Sequence, residues 1–209
     1  MDLTIELAKG ITIKKYLDWK DNNNKIEISE MIYQRFYERY IKPYSYSNHD
    51  YKKNYKNGFA MMASASLMIE TFMSFKKGWN DTSKITGRNI FGEFFDSAPE
   101  FSILKDTRKD GHCDYLKDTI PARFYYDVRC GILHQGETRK GWTITRKENA
   151  KLFDKTTLRI NAYLFLKNLE KVLKVYELEL KKSDWNDEIW INTRNKLNMI
   201  IKNCSQESI

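Results

Sequence analysis

Ala162, Phe165, Leu166, Leu169, Val172, Leu173, Tyr176 and Leu180 fall at offsets 0, 3, 4, 7, 10, 11, 14 and 18. Only a helix of 3.6 residues per turn collects such positions on one stripe. A long amphipathic helix is therefore fixed near the C-terminal end. It must bury its stripe against other elements, and most of the candidate partners are helices too.

Residues Phe59 to Phe75 are apolar or small on nearly every side, with Phe59, Met62, Met68, Ile69, Phe72, Met73 and Phe75 and the single charge of Glu70. That pattern predicts a central helix packed on more than one face. Ile28, Met31, Ile32, Phe36 and Tyr40 recur at helical spacing until Pro43 stops them, and Ile90, Phe91, Phe94 and Phe95 mark a short amphipathic stretch. A last helix is expected over about 184–202, using Ile189, Trp190, Leu197, Ile200 and Ile201. Trp142 to Thr145 alternates and is β-branched, and Leu152-Phe153 is expected to pair with it across the Lys147 to Lys151 turn. The expectation is an all-α bundle of about five main helices with a small β-hairpin. Residues 1–25 read as an N-terminal extension without an assigned element, 26–204 as the helical domain, and 205–209 as a disordered tail.

The 41% apolar and 31% charged content, with only nine glycines and three prolines, excludes collagen-like and disordered classes and disfavours turn-rich β folds. With 36 Lys+Arg against 28 Asp+Glu the chain carries a formal +8, which attracts polyanions such as nucleic acid. The start, Met1-Asp2-Leu3-Thr4-Ile5-Glu6, has acids where a secretory signal carries positive charge. Cys113, Cys130 and Cys204 are odd in number and widely spaced, indicating neither a disulfide framework nor a zinc knuckle. A cytoplasmic location is expected. The unbroken small-and-apolar run from Phe59 to Ile69 is too short to span a bilayer, so no membrane association is expected.

The best-delimited helix runs from Ile120 to Gln135. Thr119 is its N-cap, Pro121 occupies the first turn where a missing N–H costs nothing, and Gly136 follows as C-cap. Near its end, in FYYDVRCGILHQG, Arg129 precedes His134 by five residues. A permanent cation and a titratable imidazole are the two groups that metal-free RNA cleavage needs, one to neutralise a phosphate and one to move protons. The pair alone is a weak signal: at this composition about 0.4 such pairs arise by chance. Five helical residues also rotate by about 140° and rise by about 7.5 Å, so the two side chains leave the helix in different directions. Two copies of the helix meeting face to face solve that problem, with Gly131 allowing close approach of a backbone or an RNA strand.

The segment FYYDVRCGILHQGET, preceded by ASASLMIETF and followed by GWTI, LFD and RINAYLFLKNLEKVLKVYELEL, resembles bacterial members of the HEPN superfamily. The resemblance covers roughly residues 57–182, and Arg129 and His134 match the family's R-x4-6-H pair. It implies an α-helical bundle, commonly dimeric, and in many members a metal-independent ribonuclease of toxin–antitoxin, abortive-infection or other phage-defence systems. It further implies His134 as general base or acid on the ribose 2′-hydroxyl and leaving oxygen, Arg129 on the transition-state phosphorane, and a 2′,3′-cyclic phosphate product. Neither a metal nor a cofactor is called for. RNA, a second copy of the chain and an antitoxin or regulatory protein are the implied partners. The sequence departs from the pattern at Cys130, where many active members carry Asn, Asp or His. The alternative reading is a non-catalytic HEPN module that binds RNA, a nucleotide or a protein partner; a purely structural helical dimer is more distant.

Glu70, a lone carboxylate in an uncharged helix, is either the residue that orients the arginine or histidine or a partly exposed surface glutamate. Asp127 is expected to form an i,i+4 pair with Arg123. Cys130 and His134, also i,i+4, form a thiol–imidazole couple or half a zinc site only if further ligands lie nearby. Arg139, Lys140, Arg146 and Lys147 follow the histidine and extend positive charge along an RNA backbone. Tyr44 to Lys56 interleaves tyrosines with lysines, which stack bases in some proteins and are ordinary loop residues in most.

Overall fold

The computed structural model describes residues 2–44, 57–147 and 149–204. The stretch expected to interleave tyrosine and lysine falls outside these residues from 45 to 56, as does the expected tail at 205–209. The chain is predominantly helical with two small sheets, and it divides into two compact units.

One unit comprises Met1–Arg39, Thr71–Asp81 and Leu173–Ile209. Here the unassigned N-terminal residues fold as strand β1 (Glu6–Ala8), antiparallel to β2 (Ile11–Thr12), followed by helix α1 (Ile13–Asp21). Gly10, at φ +72°, supplies the left-handed turn between the strands. Thr12 caps α1 by accepting a 3.3 Å hydrogen bond from the Lys15 amide. The helix is short and buries only Ile13 and Tyr16, too few positions to register as periodicity. Helix α2 (Lys25–Phe36) follows, and before the predicted stop at Pro43 its turns widen into a π segment (Tyr37–Ile41) and then tighten into a 3-10 turn (Lys42–Tyr44).

The long apolar helix is α3 (Gly58–Lys77), and its residues from Thr71 onward belong to this first unit. The unit also holds the C-terminal part of α6 (Ala162–Lys182) and all of α7 (Glu188–Cys204). Its core is aromatic: Phe36 meets Phe75 edge-on at 5.2 Å, and Phe72 meets Tyr176 at 5.1 Å. Two buried polar tips are satisfied, whereas the buried Tyr16 hydroxyl has no hydrogen-bond partner among the described residues. Trp190 Nε1 donates to the Leu180 carbonyl at 2.9 Å, and the Tyr176 and Thr193 hydroxyls lie 2.6 Å apart. Phe36, Phe72 and Phe75, all buried, each contribute roughly 1.5–3 kcal/mol by leaving water.

The other unit comprises Tyr40–Glu70 and Thr82–Val172. It contains the first part of α3, helix α4 (Gly87–Ser97), a 3-10 segment (Pro99–Leu104), helix α5 over residues 120–135, a three-stranded sheet and the start of α6. Phe91, Phe95, Phe101, Phe124 and Phe165 form its core, with Phe124 stacked on Phe165 at 5.4 Å and 5°. By length and composition α3 is long and apolar enough to cross a membrane, but 67% of its apolar window is buried within the fold, as in a core helix.

The sheet corrects the expected hairpin. Strand β3 (Thr143–Thr145) does not pair with β4 (Phe153–Asp154). Instead β5 (Arg159–Asn161) lies between them, parallel to β3 and antiparallel to β4. Strands of two or three residues carry too little local pattern to choose a partner, so contacts distant in sequence decide. Asn161 secures the arrangement: its side chain donates to the Lys147 carbonyl at 2.7 Å, and its oxygen accepts from the Tyr163 and Leu164 amides at 3.1 Å, capping α6. Counting α5 as one, seven helices longer than eight residues are present among the described residues, against the five expected.

Candidate active site

Helix α5 has the ends that its sequence predicts. Thr119 Oγ1 accepts from the Ala122 amide at 3.4 Å, Pro121 sits in the first turn, and Gly136 terminates the helix at φ +69°. Its interior is not uniform. An α segment (Ile120–Arg123) opens into a π segment (Phe124–Arg129) and closes again into an α segment (Cys130–Gln135). In a π turn residues five apart come nearly into line, which brings Tyr125 beside Cys130 and sets Arg129 at the end of the widened stretch. Such insertions in helices often accompany functional sites.

Arg129 is paired. Its Nε donates to Glu70 Oε1 at 2.8 Å and its Nη2 to Glu70 Oε2 at 3.1 Å, the two-pronged geometry that guanidinium and carboxylate share. Both side chains are largely buried, at 19% and 14% exposure. The guanidinium also lies 5.7 Å from the Tyr125 ring centroid. Burial by itself pulls the Arg129 pKa down, but the Glu70 carboxylate outweighs it and holds the pKa above its ordinary value. Burial and the neighbouring Cys130 thiol together push the Tyr125 phenol up to about 12. Glu70, Tyr125, Arg129 and Cys130 thus form one cluster, in which Tyr125 carried no sequence signal because its place depends on the π turn.

The His134 side chain is exposed and, among the described residues, makes no hydrogen bond or ion pair. Two contacts on α5 explain why it does not join Arg129. Arg129 faces α3, whereas Gly131, two residues or about 200° further round, faces the loop that follows the helix. A Cβ on Gly131 would come within 2.6 Å of the Glu137 carbonyl oxygen. The close approach expected at Gly131 is therefore made by the chain's own returning loop. His134 projects about 60° from Gly131 and about 140° from Arg129, nearer the loop than the guanidinium.

Asp127 holds that loop. Its side chain is buried, 3.8 Å from the expected partner Arg123 Nε and 3.8 Å from Lys140 Nζ, and its backbone carbonyl accepts from the Arg139 amide at 2.8 Å. Asp127 Oδ2 has no hydrogen bond, so its charge is balanced through space by two cations. Of the four cations expected to contact RNA, Lys140 is 75% exposed and Lys147 is exposed. Arg139 donates to Gln135 at 3.0 Å, and Arg146 donates to Asn57. Among the described residues no group of three His, Cys, Asp or Glu side chains converges as metal ligands would, so Cys130 and His134 gain no further ligand. The chain matches no family model, no curated protein and no solved structure.

Proposed function

We propose that the protein is a metal-independent endoribonuclease of the HEPN kind that acts as a homodimer, in a bacterial toxin–antitoxin or phage-defence setting. The observation that carries this reading is the two-pronged Glu70–Arg129 pair, which fixes the arginine of the R-x4-H segment against the neighbouring helix α3, while the histidine of the same segment stays exposed and unpaired on another side of α5. An arginine held in one geometry can meet a phosphate without paying to order its side chain. Because Arg129 and His134 diverge on one helix, a second copy is needed to complete a cleft. Leu67, three residues before Glu70, and Leu133, four residues after Arg129, are 42% and 41% exposed and offer apolar surface for that contact.

In such a cleft one His134 imidazole takes the proton of a ribose 2′-hydroxyl, whose oxygen attacks the adjacent phosphorus. Arg129 neutralises the charge that gathers on the phosphoryl oxygens. The 5′-oxygen leaves with a proton from the second copy's imidazole, giving a 2′,3′-cyclic phosphate and a 5′-hydroxyl.

A second reading, a non-catalytic module that binds RNA, a nucleotide or a protein, is favoured by the same pair: Glu70 already occupies two donors of Arg129 and balances its charge. Incubation with single-stranded and structured RNA in excess EDTA separates the two. Cleavage that disappears in both Arg129→Ala and His134→Ala, each with wild-type helicity, supports the enzyme; binding without cleavage supports the module.

A further inference from the structure

Positive charge is not spread evenly along the chain. Residues 138–160 contain seven Lys and Arg against two acids, a net +5 in 23 residues, while the other 186 residues share +3. This is the stretch that builds the three-stranded sheet and the loop leading into it. The pairing of β3 with β5 sorts its side chains. Ile144, Ile160 and Phe153 share the inner face, and Phe153 stacks on buried Trp142 at 5.1 Å. Thr143, Thr145 and Arg159 share the outer face, because Thr143 lies opposite Arg159 in the register.

Around that outer face Lys147 follows β3 by two residues and Lys155 lies in the β4–β5 turn. Both are exposed, as is Arg159, and among the described residues none of the three makes an ion pair. Asp154, which the register sets opposite Arg159, makes no ion pair with it among the described residues; its Oδ1 accepts from the Thr156 and Thr157 amides at 3.0 and 3.3 Å. Arg146 is turned to a structural task by its bond to Asn57. Sequence order alone groups Arg139, Lys140, Arg146 and Lys147; the strand register adds Arg159, and the β4–β5 turn adds Lys155.

We infer that the outer face of this sheet, with Lys147, Lys155 and Arg159 around the hydroxyls of Thr143 and Thr145, is a binding surface for the sugar–phosphate backbone of RNA. Exposed ammonium and guanidinium groups release the counterions of a polyanion, and the threonine hydroxyls reach phosphate or ribose oxygens without reading the base. The inference deepens the ribonuclease reading and rests on it for the choice of RNA as the polyanion. An acidic protein is the competing partner, since charge alone also attracts carboxylates.

The experiment measures fluorescence anisotropy of a labelled, twenty-nucleotide 2′-O-methyl RNA, which lacks the attacking hydroxyl and so reports binding without turnover. Full-length wild type is compared, over a salt series, with the triple variant Lys147→Glu, Lys155→Glu, Arg159→Glu and with a control triple, Lys14→Glu, Lys117→Glu, Lys171→Glu, at equally exposed positions. The sheet variant is expected to bind at least about ten-fold more weakly than the control. Its log–log salt slope should fall by about 2, three lost phosphate contacts at roughly 0.7 each. Equal losses in the two triples overturn the proposal, and so does tighter sheet-dependent binding of poly-glutamate than of the oligonucleotide. Cleavage of unmodified RNA is read separately. Sheet-dependent binding with no cleavage refutes the nuclease and leaves the surface standing, whereas cleavage with control-like binding in the sheet variant refutes the surface and leaves the nuclease.

Discussion

Glu70 on α3 grips Arg129 on α5 through both carboxylate oxygens, at 2.8 and 3.1 Å, with both side chains more than four-fifths buried. The pair joins the apolar core helix to the helix that carries the R-x4-H segment, so it should be felt in stability as well as in chemistry. Glu70→Ala strands a largely buried guanidinium and is expected to cost about 2 kcal/mol, less than the 3–5 kcal/mol of a fully buried pair because some solvent reaches both groups. Arg129→Ala should cost a similar amount. The double variant should cost less than the sum, with a coupling of about 1–2 kcal/mol from denaturant midpoints. Additive losses would mean that the pair is not energetically real.

Gly131 is expected to resist the substitution that helix propensity favours. Alanine gains about 1 kcal/mol inside a helix, but here its methyl would lie 2.6 Å from the Glu137 carbonyl oxygen, an atom fixed in the returning loop. Overpacking of that kind costs about 1–3 kcal/mol, so Gly131→Ala should lower the melting temperature. Gly111→Ala, at a position with no heavy atom within 4 Å, should leave it unchanged.

Alkaline pH should weaken the fold before arginine titrates. The Tyr125 phenol is held up to about 12, against an ordinary 10, so between those values the folded chain keeps a proton that the unfolded chain releases. Stability from this group is complete below pH 10 and is lost as the pH rises toward 12. Tyr16, Tyr115 and Tyr176 are raised in the same direction, chiefly by burial. Urea midpoints measured from pH 9 to 11.5 should fall, and less steeply in Tyr125→Phe than in wild type. An identical slope would remove Tyr125 from the set.

What the sequence disclosed follows from the range of the forces involved. The ends of α5 were legible because Thr119, Pro121 and Gly136 act on backbone groups within a turn of themselves. The stripe of α6 was legible because its period is intrinsic to the helix. Glu70 stood out as the one charge in an apolar run, though whether arginine or histidine would claim it depended on which way α5 turns. The π segment was not legible: nothing in FYYDVR specifies a wider turn, and Tyr125 and Cys130 meet only because of it. Nor was the strand order, since β3 finds β5 sixteen residues later and not the nearer β4.

The central claim is that Arg129 and His134 from two copies cut RNA together without a metal. Mixed dimers test it most directly. Arg129→Ala and His134→Ala chains are each prepared alone and then co-expressed, with the heterodimer isolated on two tags, and all are assayed on single-stranded RNA in excess EDTA. The account predicts that each variant alone is inactive and that the heterodimer, which retains one guanidinium and one imidazole in the shared cleft, regains measurable cleavage with 2′,3′-cyclic phosphate ends, well below the wild-type rate because water must replace the second imidazole as proton donor to the 5′-oxygen. Full cleavage by either variant alone, or a wild-type protein that leaves the RNA intact, would contradict it.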